Sequence, residues 1–135
     1  MFLVDTNVWL ESLLQHQNAP EVKAFLDHTP SHLLSITDFT FHSLGIILTR
    51  LKKADVLLRF VQDLFVDGAV LLVRLGPEHM SRLIEVSSQF NLDFDDAYQY
   101  VAAELRGLVI VSFDGDFDRT LLGRKTPAQV LGMNA

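Results

Sequence analysis

Leu108-Val109-Ile110-Val111-Ser112-Phe113-Asp114-Gly115-Asp116-Phe117-Asp118 is the stretch that decides the fold. Its opening apolar run, rich in β-branched residues, suits a short, fully buried strand, and the run gives way to carboxylates at alternate positions. A parallel α/β sheet carries its chemistry at the carboxyl ends of its strands. Acids crowded there repel one another by about 3 kcal/mol per pair at about 5 Å and an effective dielectric near 20, so a divalent cation is the expected compensation. Two other readings stand beside this one. Asp and Gly are ordinary turn residues, and acids on a loop are often simply solvated. The spacing of Asp114, Asp116 and Asp118 also copies the start of an EF-hand, but Arg119 stands where that loop needs Gly and Lys125 where it needs Glu.

Working outward, Phe2-Leu3-Val4 reads as a first strand delivering Asp5 at its end, and Asp5-Thr6-Asn7 caps a helix carrying Leu10, Leu13 and Leu14. A second helix starts near Pro20, with Asn18 and Glu21 at capping-box spacing, and stops before Thr29-Pro30. Leu33 to Ile36 is a second strand. Thr37-Asp38 opens the next helix, with Asp38 as the expected N-cap and Phe41, Leu44, Leu48 and Leu51 as its buried stripe. Ala54 to Val66 reads as a fourth helix and Ala69 to Val73 as a third strand. Gly76-Pro77 begins a fifth helix running to about Phe90, with Leu83, Ile84 and Val86 as its apolar positions. Asp93, Asp95 and Asp96 open a sixth that ends at Gly107, and Pro127 begins a short terminal helix. Acids in a first helical turn are favourable beside the helix dipole, but three in four positions exceed what capping requires.

The resulting order predicts a central parallel sheet of about four strands with helices on both faces, in one domain over residues 1–135. The chain has no cysteine, so a metal would be held by oxygen or imidazole. No apolar run approaches the roughly 20 residues of a membrane span, and Asp5 interrupts any amino-terminal signal, so a cytoplasmic protein is expected. A net charge of −6 argues against a broad basic nucleic-acid surface, though Arg50, Lys52, Lys53 and Arg59 form a cluster that could meet phosphates or be a solvated turn.

Three motifs in this order, Val4-Asp5-Thr6-Asn7, Asp96-Ala97 and Val111-Ser112-Phe113-Asp114-Gly115-Asp116-Phe117, resemble those of the PIN-domain family of metal-dependent ribonucleases, which includes the toxins of VapBC-type toxin–antitoxin modules. The resemblance spans essentially the whole chain. It implies a three-layer α/β fold, with Asp5, Asp96, Asp114 and Asp116 holding one or two Mg²⁺ or Mn²⁺ ions and catalysing RNA hydrolysis, and Asn7 and Ser112 as polar support. It also implies an RNA substrate, and allows a small antitoxin partner and a homodimer. The family usually carries a Glu early in the helix after the second strand; here that position is Ser43, with His42 beside it and Asp38 upstream as substitutes to test. A catalytically degenerate domain that binds RNA or protein is the alternative. A phosphatase of the haloacid dehalogenase type is disfavoured, because it needs a second Asp where Asn7 stands.

Overall fold

A computed structural model of the chain describes residues 1–133; Asn134 and Ala135, the last positions of the expected domain, lie outside them. Four short strands, β1 (Phe2–Val4), β2 (Leu34–Thr37), β3 (Leu71–Val73) and β4 (Val109–Val111), form an all-parallel sheet in the order β3-β2-β1-β4. The helices are α1 (Thr6–Leu13), α2 (Ala19–His28), α3 (Asp38–Arg50), α4 (Ala54–Val61), α5 (Met80–Phe90), α6 (Phe94–Arg106) and α7 (Pro127–Met133). The expected architecture is therefore present.

Strand alternation sorts the core into two layers. Leu3, Val73 and Ile110 pack beneath α5 and α6 with Leu83, Val86 and Val101. Val4, Ile36 and Val111 face the opposite side, against Trp9 of α1, Phe25 of α2, Leu44 of α3, Phe60 of α4 and Val130 of α7. Register is what builds the site: Val4 pairs with Val111, so the residues that follow them, Asp5 and Ser112, emerge side by side. The Asp5 amide donates to the Val111 carbonyl at 2.9 Å, carrying the pairing one step past the strand.

Several local expectations need correction. The cap of α3 is Thr37, whose hydroxyl accepts from the Thr40 amide, because β2 runs one residue further than its apolar run; Asp38 is already helical. Asn18 forms no capping box, since its side chain makes no cap bond and its amide donates to Glu11 Oε2. The helix expected over Ala54 to Val66 widens after Val61 into a π-helical turn, Gln62–Val66, and Phe65 packs edge-on against Phe41 and Phe60. Pro77–His79 is a tight 3-10 turn ahead of α5. Leu51 and Ile84, expected in apolar stripes, are exposed.

Candidate metal centre at the carboxyl edge of the sheet

Asp5 is the pivot of the site. It sits in extended conformation between β1 and α1, is 6% exposed, and uses Oδ1 to cap α1 through the Thr6 amide at 2.8 Å. The same oxygen accepts from Gln99 Nε2 at 2.8 Å; Oδ2 accepts from Ser112 Oγ at 2.7 Å and Asn7 Nδ2 at 3.4 Å. Asn7 and Ser112 are thus brought together around the Asp5 carboxylate. Asn7 also donates to Ser112 Oγ and accepts from the Phe113 amide, and Ser112 Oγ accepts from the Asp114 amide, so β1 and β4 are stitched together just above the sheet. Burial pushes the Asp5 carboxyl up, against the lowering effect of the Gln99, Ser112 and Thr6 hydrogen bonds.

The three acids at the start of α6 divide their work. Asp93 is the N-cap, accepting from the Asp96 amide at 2.9 Å, while Asp96 turns inward and is buried. Oxygens of Asp96, Asp114 and Asp116 lie within 4.8 Å of one another. Burial first, then the charges of Asp114, Asp93 and Asp5, push the Asp96 carboxyl up to about 8. Such a group resists ionising until a positive charge arrives. The donor set, three hard carboxylates, fits Mg²⁺ or Mn²⁺.

The last loop also separates its acids. Asp114 accepts from the Asp116 amide and lines the site. Asp116 is half claimed by Arg119, whose guanidinium donates to it at 2.9 Å and to the Phe90 and Asn91 carbonyls. Asp118 turns away to Arg124, which further excludes the calcium-loop arrangement.

These groups open into a cleft of about 350 Å³ whose lining includes Asp5, Asp93, Asp95, Asp96 and Asp114 together with Phe39, Ser43 and Ile47 of α3. Ser43 therefore lines the same cleft as the acids. His42 does not: it lines a shallow apolar depression with Phe41, Gly45 and Leu57. Asp38 is also turned elsewhere, accepting from Tyr98 Oη at 2.6 Å and the Phe39 amide. Neither residue stands in for a carboxylate at position 43. A larger cavity of about 490 Å³, bordered by Trp9, Leu26 and Phe60, contains no such grouping of acids.

Gln99 is the site residue that sequence reading missed. It is 2% exposed, donates to Asp5 Oδ1 and Thr40 Oγ1 at 2.8 Å each, and accepts from Thr37 Oγ1 at 2.8 Å. Thr40 in turn meets Thr6 Oγ1 at 2.9 Å, so one amide joins β1, the β2–α3 junction and α6. The available signal was a lone amide amid Ala97, Tyr98, Tyr100, Val101 and Ala102, one helical turn past Asp96 and on its face. Replacing Gln99 by Leu should weaken Mn²⁺ binding about tenfold or more, the usual scale for losing a group that orients a ligand. It should also cost about 1–3 kcal/mol for the buried polar partners left unsatisfied. Calorimetric titration and thermal melting of this variant measure the two effects separately.

The family model of the PIN domain matches residues 2–121, and the chain belongs to that family. Solved structures agree on the fold. A toxin–antitoxin complex from Klebsiella pneumoniae superposes with a TM-score of 0.76 at 20% identity, covering 94% of this chain and 98% of the other. VapC20 from Mycobacterium tuberculosis, described as a sarcin–ricin loop cleaving toxin, gives 0.73 at 15% identity, with 87% and 93% covered. FitAcB from Neisseria gonorrhoeae gives 0.73 at 23% identity, with 95% and 99% covered. No curated protein sequence matches the chain. Among the described residues, no helix is long and apolar enough to cross a membrane.

Proposed function

We propose that this protein is a divalent-metal-dependent ribonuclease, cytoplasmic, and the toxin of a toxin–antitoxin pair with a small protein antitoxin. The observation that carries the reading is the convergence of Asp96, Asp114 and Asp116 within 4.8 Å, where burial and the acidic neighbours push the Asp96 carboxyl up. A cluster of this kind, offset within the chain only by Arg119 at Asp116, is costly in a structural role and fits a cation site. Its PIN membership and its likeness to toxin–antitoxin structures support the RNA and antitoxin parts of the reading.

Asp96, Asp114 and Asp116 would hold Mg²⁺ or Mn²⁺, with Asp5 lining the same cleft from the end of β1, outside the 4.8 Å group. An ion held by these residues would supply Lewis acidity toward a water and charge neutralisation at the scissile phosphate. The chain supplies the rest: Gln99, Ser112 and the Thr6 amide keep Asp5 in one orientation, and the open cleft admits a phosphodiester to the acids. No carboxylate need act as a nucleophile.

One observation favours a second reading, a degenerate domain that binds RNA without cutting it: the α3 wall presents uncharged Ser43 to the acids. The test is cleavage of structured and unstructured RNA with Mn²⁺, beside an Asp5→Asn, Asp96→Asn double variant prepared in parallel. Cleavage by the wild type that falls to background in the variant supports the nuclease. Equal cleavage by both identifies a contaminant and sinks it, and RNA binding without cleavage selects the second reading.

A further inference from the structure

Resting on the reading of an RNA phosphodiester as substrate, we propose that the strand enters along α3 and that Arg50 at its far end is a phosphate-binding residue. The cleft is asymmetric in charge. Five carboxylates, Asp5, Asp93, Asp95, Asp96 and Asp114, come from the β1, α6 and final-loop side, whereas Phe39, Ser43 and Ile47 make the α3 wall uncharged. A polyanion is repelled where it approaches over the acids, and two flanks of the cleft are uncharged, α3 and the Thr6, Asn7 and Leu10 face of α1; α1 ends without a basic residue.

The α3 stripe leads to a cation. At about 100° per residue, Phe39 and Ile47 lie about 40° to either side of Ser43, and Arg50 lies about 20° from it, on the same line. Arg50 is about 10 Å further along the axis. Its Cα–Cβ bond tilts toward the helix amino terminus, back toward the cleft. Arg50 is exposed and, among the described residues, enters no ion pair. A guanidinium in that position suits a neighbouring backbone phosphate of the strand whose scissile phosphate reaches the acids. The uncharged residue at position 43 keeps the approach free of repulsion.

A matched control exists in the same molecule. Arg106 is also the last residue of a helix of equal length, exposed and outside any ion pair among the described residues, but it stands seven residues past Gln99, the last cleft-lining residue of α6, whereas Arg50 stands only three past Ile47. The experiment is fluorescence anisotropy of a labelled single-stranded RNA oligonucleotide with Ca²⁺ in place of Mn²⁺, its integrity checked on a gel, for wild type, Arg50→Glu, Arg50→Gln and Arg106→Glu. We expect Arg50→Glu to weaken binding about tenfold or more and Arg50→Gln less. The slope of log affinity against log salt should fall by about one unit in the Arg50→Gln variant. Arg106→Glu should stay within about twofold of wild type. Equal losses in the two Glu variants would reduce the effect to net charge and overturn the proposal, as would unchanged binding by Arg50→Glu. Wild-type protein that binds no RNA overturns the substrate reading together with it. Arg50-dependent binding without cleavage in Mn²⁺ retains the track and removes only the nuclease.

Discussion

Mn²⁺ is expected to bind about tenfold more tightly for each unit of pH between about 6 and about 8, and to level off above that. The reason is Asp96, which burial and the neighbouring carboxylates hold protonated up to about pH 8. An ion entering below that pH must displace one proton, and one proton released per ion is a tenfold change per unit. Titration calorimetry in two buffers of different ionisation enthalpy counts the proton directly. The metal-free protein should show the opposite trend. Asp96 has a folded pKa above its ordinary 3.8, so the folded chain holds more protons than the unfolded one between about pH 4 and about pH 8. Its contribution to stability is fully present below the lower value and is lost as pH rises through the upper one. Asp5, also raised by burial, acts in the same direction. Other groups titrate as well, so the comparison is with Asp96→Asn, in which the decline of melting temperature toward pH 8 should shrink. A pH-independent Mn²⁺ affinity, with no proton released, would remove Asp96 from the ligand set.

The same electrostatics explains how much of the molecule could be read in advance. The strands were legible because each is a short apolar run ending at a polar residue, and the parallel sheet followed from their alternation with helices. Asp5, Asp96, Asp114 and Asp116 stood out because the motifs that carry them follow one another in the order that resembles the PIN family, at a strand end, a helix start and the loop after the last strand. Local spacing could not show how the acids of one motif part company. Asp118 turns to Arg124 and Asp116 is shared with Arg119, and both choices depend on where long cationic side chains reach after folding. Gln99 was hidden for a similar reason. Its partners Asp5, Thr37 and Thr40 lie 59 to 94 residues away, so only the packing of α6 on the sheet reveals its role. The cap of α3 failed by one position because Thr37 and Asp38 are both good caps and the sheet pairing of Thr37 with Val73 decides between them.

Ser43→Glu is expected to change sign with metal. Ser43 lines the same cleft as Asp5, Asp96 and Asp114, so a carboxylate there joins an existing cluster of like charge. At about 5 Å and an effective dielectric near 20, the added repulsion should lower metal-free stability by about 1–3 kcal/mol. With saturating Mn²⁺ the new acid becomes a ligand, the melting temperature should rise above that of the wild type, and the Mn²⁺ dissociation constant should fall. If a second ion limits RNA cleavage, activity rises in step. His42→Glu is the control. It is adjacent in sequence but turned about 100° around the helix, and its side chain lies in the apolar depression beside Phe41 and Leu57. It should lose stability modestly and leave the Mn²⁺ affinity where it was. Isothermal titration of the two variants decides the point: equal affinities, or tighter binding by His42→Glu, would show that the α3 wall does not face the ion, and with it would fall the strand path drawn along Phe39, Ser43, Ile47 and Arg50.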